Sequence, residues 1–443
     1  MKKKAPYFPV GVRNILKKKT VCTGFLLLML FMAAPILKGQ NFLQEYVDSA
    51  RVNSPAVVQL KRQIQILELE KKSIKATYKA PKGYLSSEVD LTPYFNNNGE
   101  LFTSNPSSQA YGYDVAIANG GLYSALMNVD VPLFVNKTTD NALNWQEQQI
   151  NALKIQLKNS DFTLQQQVAG LFYDALGAQL AYHTQKETVK LEAHEVNLLE
   201  VLTRKGLYKI VDFELLKTNL SSDSIKLKDM AIAYRLQLMQ LKSSCGISDS
   251  SLNELQMENL QLSSPEEKTS AFLMPYTNDS LTAIAENRLF NNRYEPNVTF
   301  YSNAGLNAVQ LPGIQHNLGL GLGLRLTYTL FDGRQKQVNK AQSLIRIDQA
   351  SQLKDLKSKD IQLKRAQLLK AIAEAKKNLQ EQGKLKEQYQ NLISLYKAEV
   401  QKGQVSVTAF LMALRNYNDM KLSYGLQQIS LNKLINQYNY WNH

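Results

Sequence analysis

Two long stretches without proline constrain this chain more than any other feature. From Phe134 to Gly206 and from Phe331 to Gly403 the chain runs 72 positions (206 − 134 and 403 − 331), each stretch opened by a Leu-Phe pair and closed by a glycine. The landmarks are displaced by a constant 197 (331 − 134 and 403 − 206), so the chain is a duplication. As one continuous helix at ~1.5 Å per residue, each stretch is about 108 Å long, far beyond the needs of an ordinary globular core. Such helices read as spacers that cross a compartment. Their apolar residues fall at 4-3-4 intervals (Leu368, Ile372, Ala375, Leu379, then Leu385, Tyr389, Leu392, Tyr396), the seam of a coiled coil. The helices that follow each glycine, Val211 to Ser244 and Val407 to about Trp441, are the natural antiparallel partners. Gly206 and Gly403 then supply the positive φ of a helix end.

The remaining segments change period. Phe42 to Ala80 has helical spacing with a break at Ser54-Pro55. Tyr84 to Phe95 and Tyr111 to Val131 alternate with period two, as strands do. After a Ser-, Glu- and Asn-rich linker comes a helix from Ser280 to about Phe290, then a strand from Val298 to about Ser302. The clearest strand, Leu318 to Phe331, follows: its even positions up to Tyr328 are Leu or Tyr, and the odd ones are Gly, Arg or Thr. Alternation alone does not name the solvent of such a sheet, but small residues on the non-apolar face suit a barrel wall. Each half thus reads helix, strand, loop, strand, very long helix, glycine turn, helix. The expected organisation is 1–40 an export signal, 41–247 the first repeat, 248–279 a linker and 280–443 the second repeat. Four strands cannot close a barrel, and an open sheet in lipid leaves unsatisfied edge groups costing several kcal/mol each, so strands in a membrane imply an oligomer.

Charge is misleading until the leader is set aside. The first 40 residues hold seven Lys, one Arg and no acid ahead of and around an apolar run from Gly24 to Leu37, the pattern of a cleaved export signal ending near Gly39 or Gln40. Without it, 44 basic residues (52 − 8) face 38 acidic ones, and the net charge falls from +14 to +6. The basic residues are interspersed with acids along helices, which speaks against a nucleic-acid track. Cys245 is the only cysteine past the leader, so no internal disulfide forms, and the four His have no ligand spacing, so no metal site or cofactor is expected. Trp145 and Trp441 read as packing or interface residues rather than substrate contacts. No phosphate loop, nucleophile elbow or His-based acid/base set is present, which argues against an enzyme.

Two copies of a set of short motifs give the chain a resemblance. They are Pro132-Leu133-Phe134 and Leu330-Phe331-Asp332-Gly333-Arg334 at the strand-to-helix junctions, with Val168-Ala169-Gly170-Leu171-Phe172-Tyr173 inside the first long helix. The turns add Lys205-Gly206-Leu207-Tyr208 and Lys402-Gly403-Gln404-Val405. In this layout the chain resembles the TolC-type outer-membrane efflux family over almost all of its length after the leader. The resemblance implies a mainly α protein with a transmembrane β-barrel portion: a homotrimer whose copies each give four strands to a twelve-stranded barrel in outer-membrane lipid, continued by a helical tunnel through the periplasm. It further implies an exit duct for a tripartite efflux pump or a type I secretion system, linked by a periplasmic adaptor protein to an inner-membrane transporter.

By the same resemblance, adaptor docking falls on the hairpin tips, Gly206, Leu207 and Asp212 in the first repeat and Gly403, Val405, Ser406 and Thr408 in the second. Asp212 matches the family's first-repeat acid at the periplasmic aperture. The second-repeat acids, six and nine residues after the glycine, are replaced by Ala409 and Met412. The Tyr and Arg of the family's closed mouth are Val400 and Val405 here, so an apolar constriction of Val400, Val405 and Met412 stands as the alternative to the polar latch. The competing reading is a periplasmic or surface coiled-coil protein without a pore, which explains the helices but not the strand pairs ahead of them.

Overall fold

The computed structural model describes residues 42–443 apart from 92, 97, 101–106, 113–120, 207, 250, 265–269, 309–310, 312 and 402–404. The expected export signal lies outside the described residues. The chain begins with α1 (Leu43–Asn53) and α2 (Pro55–Lys79). Their separation follows from local chemistry: Ser54 is extended (φ −66°, ψ 116°), its hydroxyl accepts from the Val57 amide, and Pro55 occupies the first helical turn where no donor is missed. Strands β1 (Lys82–Leu91) and β2 (Gly121–Leu133) lead into α3 (Asn136–Arg204), 69 residues long, and α4 (Ile210–Ser244) returns. The second copy of the plan is α5 (Met274–Asn291), β3 (Asn297–Ala308), β4 (Leu318–Thr327), α6 (Gln335–Gln401) and α7 (Val407–Trp441).

Four strand ends differ from the sequence expectation, among them that of β4, which stops at Thr327 rather than at Phe331. β1 stops at Leu91, and Phe95 meets Tyr111 only through an isolated bridge. β2 is assigned from Gly121, with 113–120 outside the described residues. β3 continues to Ala308 rather than ending at Ser302, because its polar and glycine-containing second half is paired on both sides, by β2 and by β4. Among the described residues no helix is long and apolar enough to cross a membrane.

The chain divides into two compact units. In the first, Met1–Ser49 with Leu171–Asn259, the core gathers Tyr46, Phe172, Tyr173, Leu238, Leu241 and Cys245, all nearly inaccessible. Cys245 closes α4, and burial pushes its thiol up to about 11, as an inert small side chain at a helix end requires. The extended segment after α4 is held by side chains acting as surrogate peptides. Gln179 donates to the Leu255 carbonyl (3.0 Å) and accepts from the Leu255 amide (2.7 Å). Tyr173 donates to Glu258 O at 2.8 Å and Tyr234 to Asn253 O at 2.9 Å.

The second unit, Ala50–Gly170 with Leu260–His443, contains the sheet. Its helical seam follows the 4-3-4 spacing around Ile372 of α6, which is buried with Ile435 and Tyr438 of α7 while Leu368, Leu431, Leu434 and Leu260 pack around them; farther along the expected seam Leu385 and Leu392 are exposed. Trp441 ends α7 with its ring beneath the ammonium groups of Lys357 and Lys364 (4.8 and 4.3 Å), both of which also bond Asp360.

Candidate functional site

The sheet is antiparallel throughout, in the order β1-β2-β3-β4. Its register sorts every residue onto one of two faces, because directly paired residues share a face and neighbours along a strand alternate. One face carries Leu318, Leu320, Leu322, Leu324 and Leu326 of β4 and, opposite them, Leu306, Ala304, Ser302, Phe300 and Val298 of β3. It continues through Ala125, Met127, Val129, Val131 and Leu133 of β2 to Leu85 and Ser87 of β1. This face is apolar across all four strands and it is open: the five β4 leucines are 64–75% exposed and Leu85 is 82% exposed. Soluble proteins rarely expose a contiguous apolar patch beyond about 300–600 Å².

The other face is polar. It holds Lys82, Glu88 and Asp90 of β1, Asn128 and Asp130 of β2, Tyr301 and Asn303 of β3, and Arg325 of β4. Asn128 donates to the Ser86 hydroxyl (2.7 Å), and the Arg325 guanidinium lies 5.2 Å from the Tyr301 ring centre. The glycines of β4 have a cause here. A Cβ on Gly323 would stand 2.4 Å from the Tyr301 hydroxyl, and one on Gly321 would stand 2.5 Å from Asn303 Oδ1. Side chains from β3 lie across the bare backbone of β4, an aromatic covering of glycine.

Both strand-to-helix junctions use left-handed backbone. Phe134 has φ 58°, and Gly333 and Arg334 have φ 64° and 68°. In the second junction Asp332 accepts from the amides of Arg334 (2.9 Å) and Lys336 (2.8 Å) and from the Tyr294 hydroxyl (2.5 Å). The Tyr294 bond, with the amides behind it, holds the Asp332 carboxyl below its ordinary value and raises the Tyr294 hydroxyl. Asp332 thus fixes the start of α6, a role that a helix-opening acid before Gly-Arg signals in the sequence.

The hairpin tips are described one at a time. In the first unit Gly206 follows α3 with φ 73°, the left-handed cap expected of it, and Asp212 lies in the first turn of α4, where an acid is favoured by the helix dipole. Leu207 lies outside the described residues. In the second unit Gly403 likewise lies outside them, as does any φ expected of it. Ser406 is the N-cap of α7 and accepts from the Ala409 amide at 3.2 Å, a structural role the sequence reading had not given it. Val405 is half-buried, Thr408 is exposed, and Met412 is 64% exposed on α7. Val400 belongs to the last turn of α6.

Comparison with solved structures bears on the fold. CusC, whose structures concern folding and transmembrane channel formation, aligns with a TM-score of 0.67 and 15% identity over 90% of this chain and 91% of its own. The CmeC outer-membrane channel of Campylobacter jejuni aligns with a TM-score of 0.68 and 12% identity over 91% and 86%. The open-state MtrE outer-membrane channel of Neisseria gonorrhoeae gives 0.64 and 12% over 90% and 88%. No protein-family model and no curated protein sequence matches the chain.

Proposed function

We infer that this chain, which has the fold of the TolC-type outer-membrane channels, is one protomer of an export duct in the outer membrane. The observation that carries the reading is the sheet: an apolar face four strands wide, a polar face behind it, and two edge strands, β1 and β4, that a single copy does not join. Strands of 10, 13, 12 and 10 residues suit a bilayer, where a tilted spanning strand needs roughly 9 to 11. Lipid takes the apolar face, water the polar one, and the edges are paired by further copies, since hydrocarbon offers them no hydrogen bonds. Three copies give a twelve-stranded barrel. The repeats 41–247 and 280–443, joined by 248–279, each supply one strand pair and one helical hairpin, and the hairpins build a periplasmic tunnel.

Energy comes from elsewhere in this scheme. The duct catalyses nothing and conducts passively from an inner-membrane transporter through a periplasmic adaptor. The adaptor docks at Gly206, Leu207 and Asp212 of one tip and at Gly403, Val405, Ser406 and Thr408 of the other. Val400, Val405 and Met412 give the mouth an apolar lining, with Asp212 its acid. A coiled-coil protein without a pore would leave the exposed apolar sheet face without a partner.

The test is expression of the full precursor in a Gram-negative host, followed by light scattering of the detergent-extracted protein and conductance in planar bilayers. An outer-membrane trimer that forms pores supports the duct. A soluble, non-conducting monomer or dimer overturns it.

A further inference from the structure

A cavity of about 590 Å³ opens in the second unit where the start of α2, the first half of α3, the entry to α5 and the end of α7 come together. Its volume falls within the roughly 300–1,000 Å³ of small-molecule sites. Ile155, Leu164 and Phe272 give it apolar walls, and Tyr440 closes one side with its hydroxyl engaged by Thr163 at 3.3 Å. Asn159 also lines it, and the side-chain oxygen of that residue is buried with no hydrogen-bond partner. Of all the lining residues only Asp279 is charged.

Asp279 makes no hydrogen bond or ion pair among the described residues. It also borders a smaller cleft with Glu286 and Arg346, but that arginine is already paired with Glu286 at 2.5 Å. The carboxylate therefore has no cation of its own. Its side chain is exposed by area yet crowded enough that burial raises its carboxyl above the ordinary value. An unneutralised acid beside aromatic and aliphatic walls prefers a positive charge that donates hydrogen bonds and carries an apolar body.

We propose that this cavity is a binding site for a small organic cation, its protonated nitrogen against the Asp279 carboxylate and its apolar body along Ile155, Leu164 and Phe272. The site goes beyond the duct reading and does not depend on it, because binding is read on the purified protein whether or not it conducts.

The experiment uses the full chain in detergent with the cationic dye proflavine, read by fluorescence polarisation from pH 4 to 8. Saturable binding is expected, weakened about tenfold or more in Asp279→Asn, the worth of a charge-assisted hydrogen bond. Affinity in the parent falls with falling pH as Asp279 takes up a proton, starting above the range of an ordinary aspartate, and that slope disappears in Asp279→Asn. The ring analogue 2,7-diaminoanthracene, with CH in place of the ring nitrogen and uncharged at pH 7, binds parent and variant alike at that pH. Ala152→Phe, which fills the cavity without touching the charge, abolishes binding of both dyes at unchanged helical content. Absence of saturable proflavine binding to the parent overturns the proposal, and so does binding that neither substitution alters.

Discussion

The Lys242 side chain is only 3% exposed, and the chain pairs it by folding its own next turn over it. Its Nζ donates to Ser251 O at 2.6 Å and to Asp249 at 3.1 Å, while Asp249 also accepts from the Ser251 amide at 2.9 Å and from the Ser251 hydroxyl. The Ser251 bonds first, and Lys242 after them, push the Asp249 carboxyl down to about 2 from 3.8. A carboxyl depressed on folding stabilises the native state at any pH above its unfolded value and loses that contribution as pH falls through its folded one. Asp249→Asn is therefore expected to lower the melting temperature at neutral pH and to flatten the acid limb between about pH 3.8 and 2. A titration of Tm against pH that superimposes on the parent would remove Asp249 from the anchor. Side chains of this kind were the least legible in the sequence. Asn432, Asn439 and Asn442 look like the solvated positions of a polar helix, yet they bond the extended backbone of 260–264, from Leu260 N at 2.8 Å to Ser264 O at 2.7 Å. The extended chain needs these partners because it has no strand beside it, and one-dimensional spacing contains no sign of which helix supplies them.

At the scale of elements the apolar sheet face decides. Leu322 sits in the middle of β4, 64% exposed, directly opposite Ser302 and flanked along the strand by glycines. In lipid, Leu322→Arg is expected to cost ~2–4 kcal/mol, as a basic residue near the bilayer midplane does. Asn303→Arg, one position off its partner and on the polar face, is expected to cost far less. Comparing the urea midpoints of the two variants folded into vesicles separates the faces; equal losses would mean that both meet the same solvent. Much of this architecture was readable. Long Pro-free runs with 4-3-4 spacing became α3 and α6, and the Leu/Gly alternation became β4, which starts at the expected Leu318 and ends at Thr327, short of Phe331. β3 was read short because Ser302 interrupts its apolar face and Asn303 and Gly305 look like turn residues. Gly305 at φ 151°, where a Cβ would meet Ala125 O at 2.2 Å, is there so that β2 can approach, a requirement that exists only once the strands are paired. The tips were only partly legible: Gly206 and Asp212 follow from helix-end chemistry, whereas an adaptor's contacts depend on a surface outside this chain.

In the duct reading the whole molecule is incomplete as one copy, and α6 supports that reading independently of the sheet. Val338, Ile345, Leu356 and Leu363 are spaced by 7, 11 and 7 positions, which at 3.6 residues per turn keeps them within about 20° of one another on the helix. All four are open, from 54% to 68% exposed, although α6 already buries Ile361, Ile372 and Ala375. A helix with one apolar stripe packed and a second left bare favours another surface, and in the duct reading the further copies that pair the sheet edges would provide it. Ile345→Glu combined with Leu356→Glu places two charges on the bare stripe while leaving the packed residues intact. Light scattering should then report a monomer, bilayer conductance should be lost, and helical circular dichroism should stay at the parent's level. Ser351→Glu, exposed on the same helix but off the stripe, should leave assembly and conductance unchanged. Should the doubly charged variant remain an oligomer that conducts, the copies are joined by strand edges alone and the stripe faces something other than a second chain. Should Ser351→Glu disrupt assembly equally, added charge on α6 rather than its position is what the assembly rejects. The stripe is assigned to the subunit interface only by loss of assembly in the first variant together with its retention in the second.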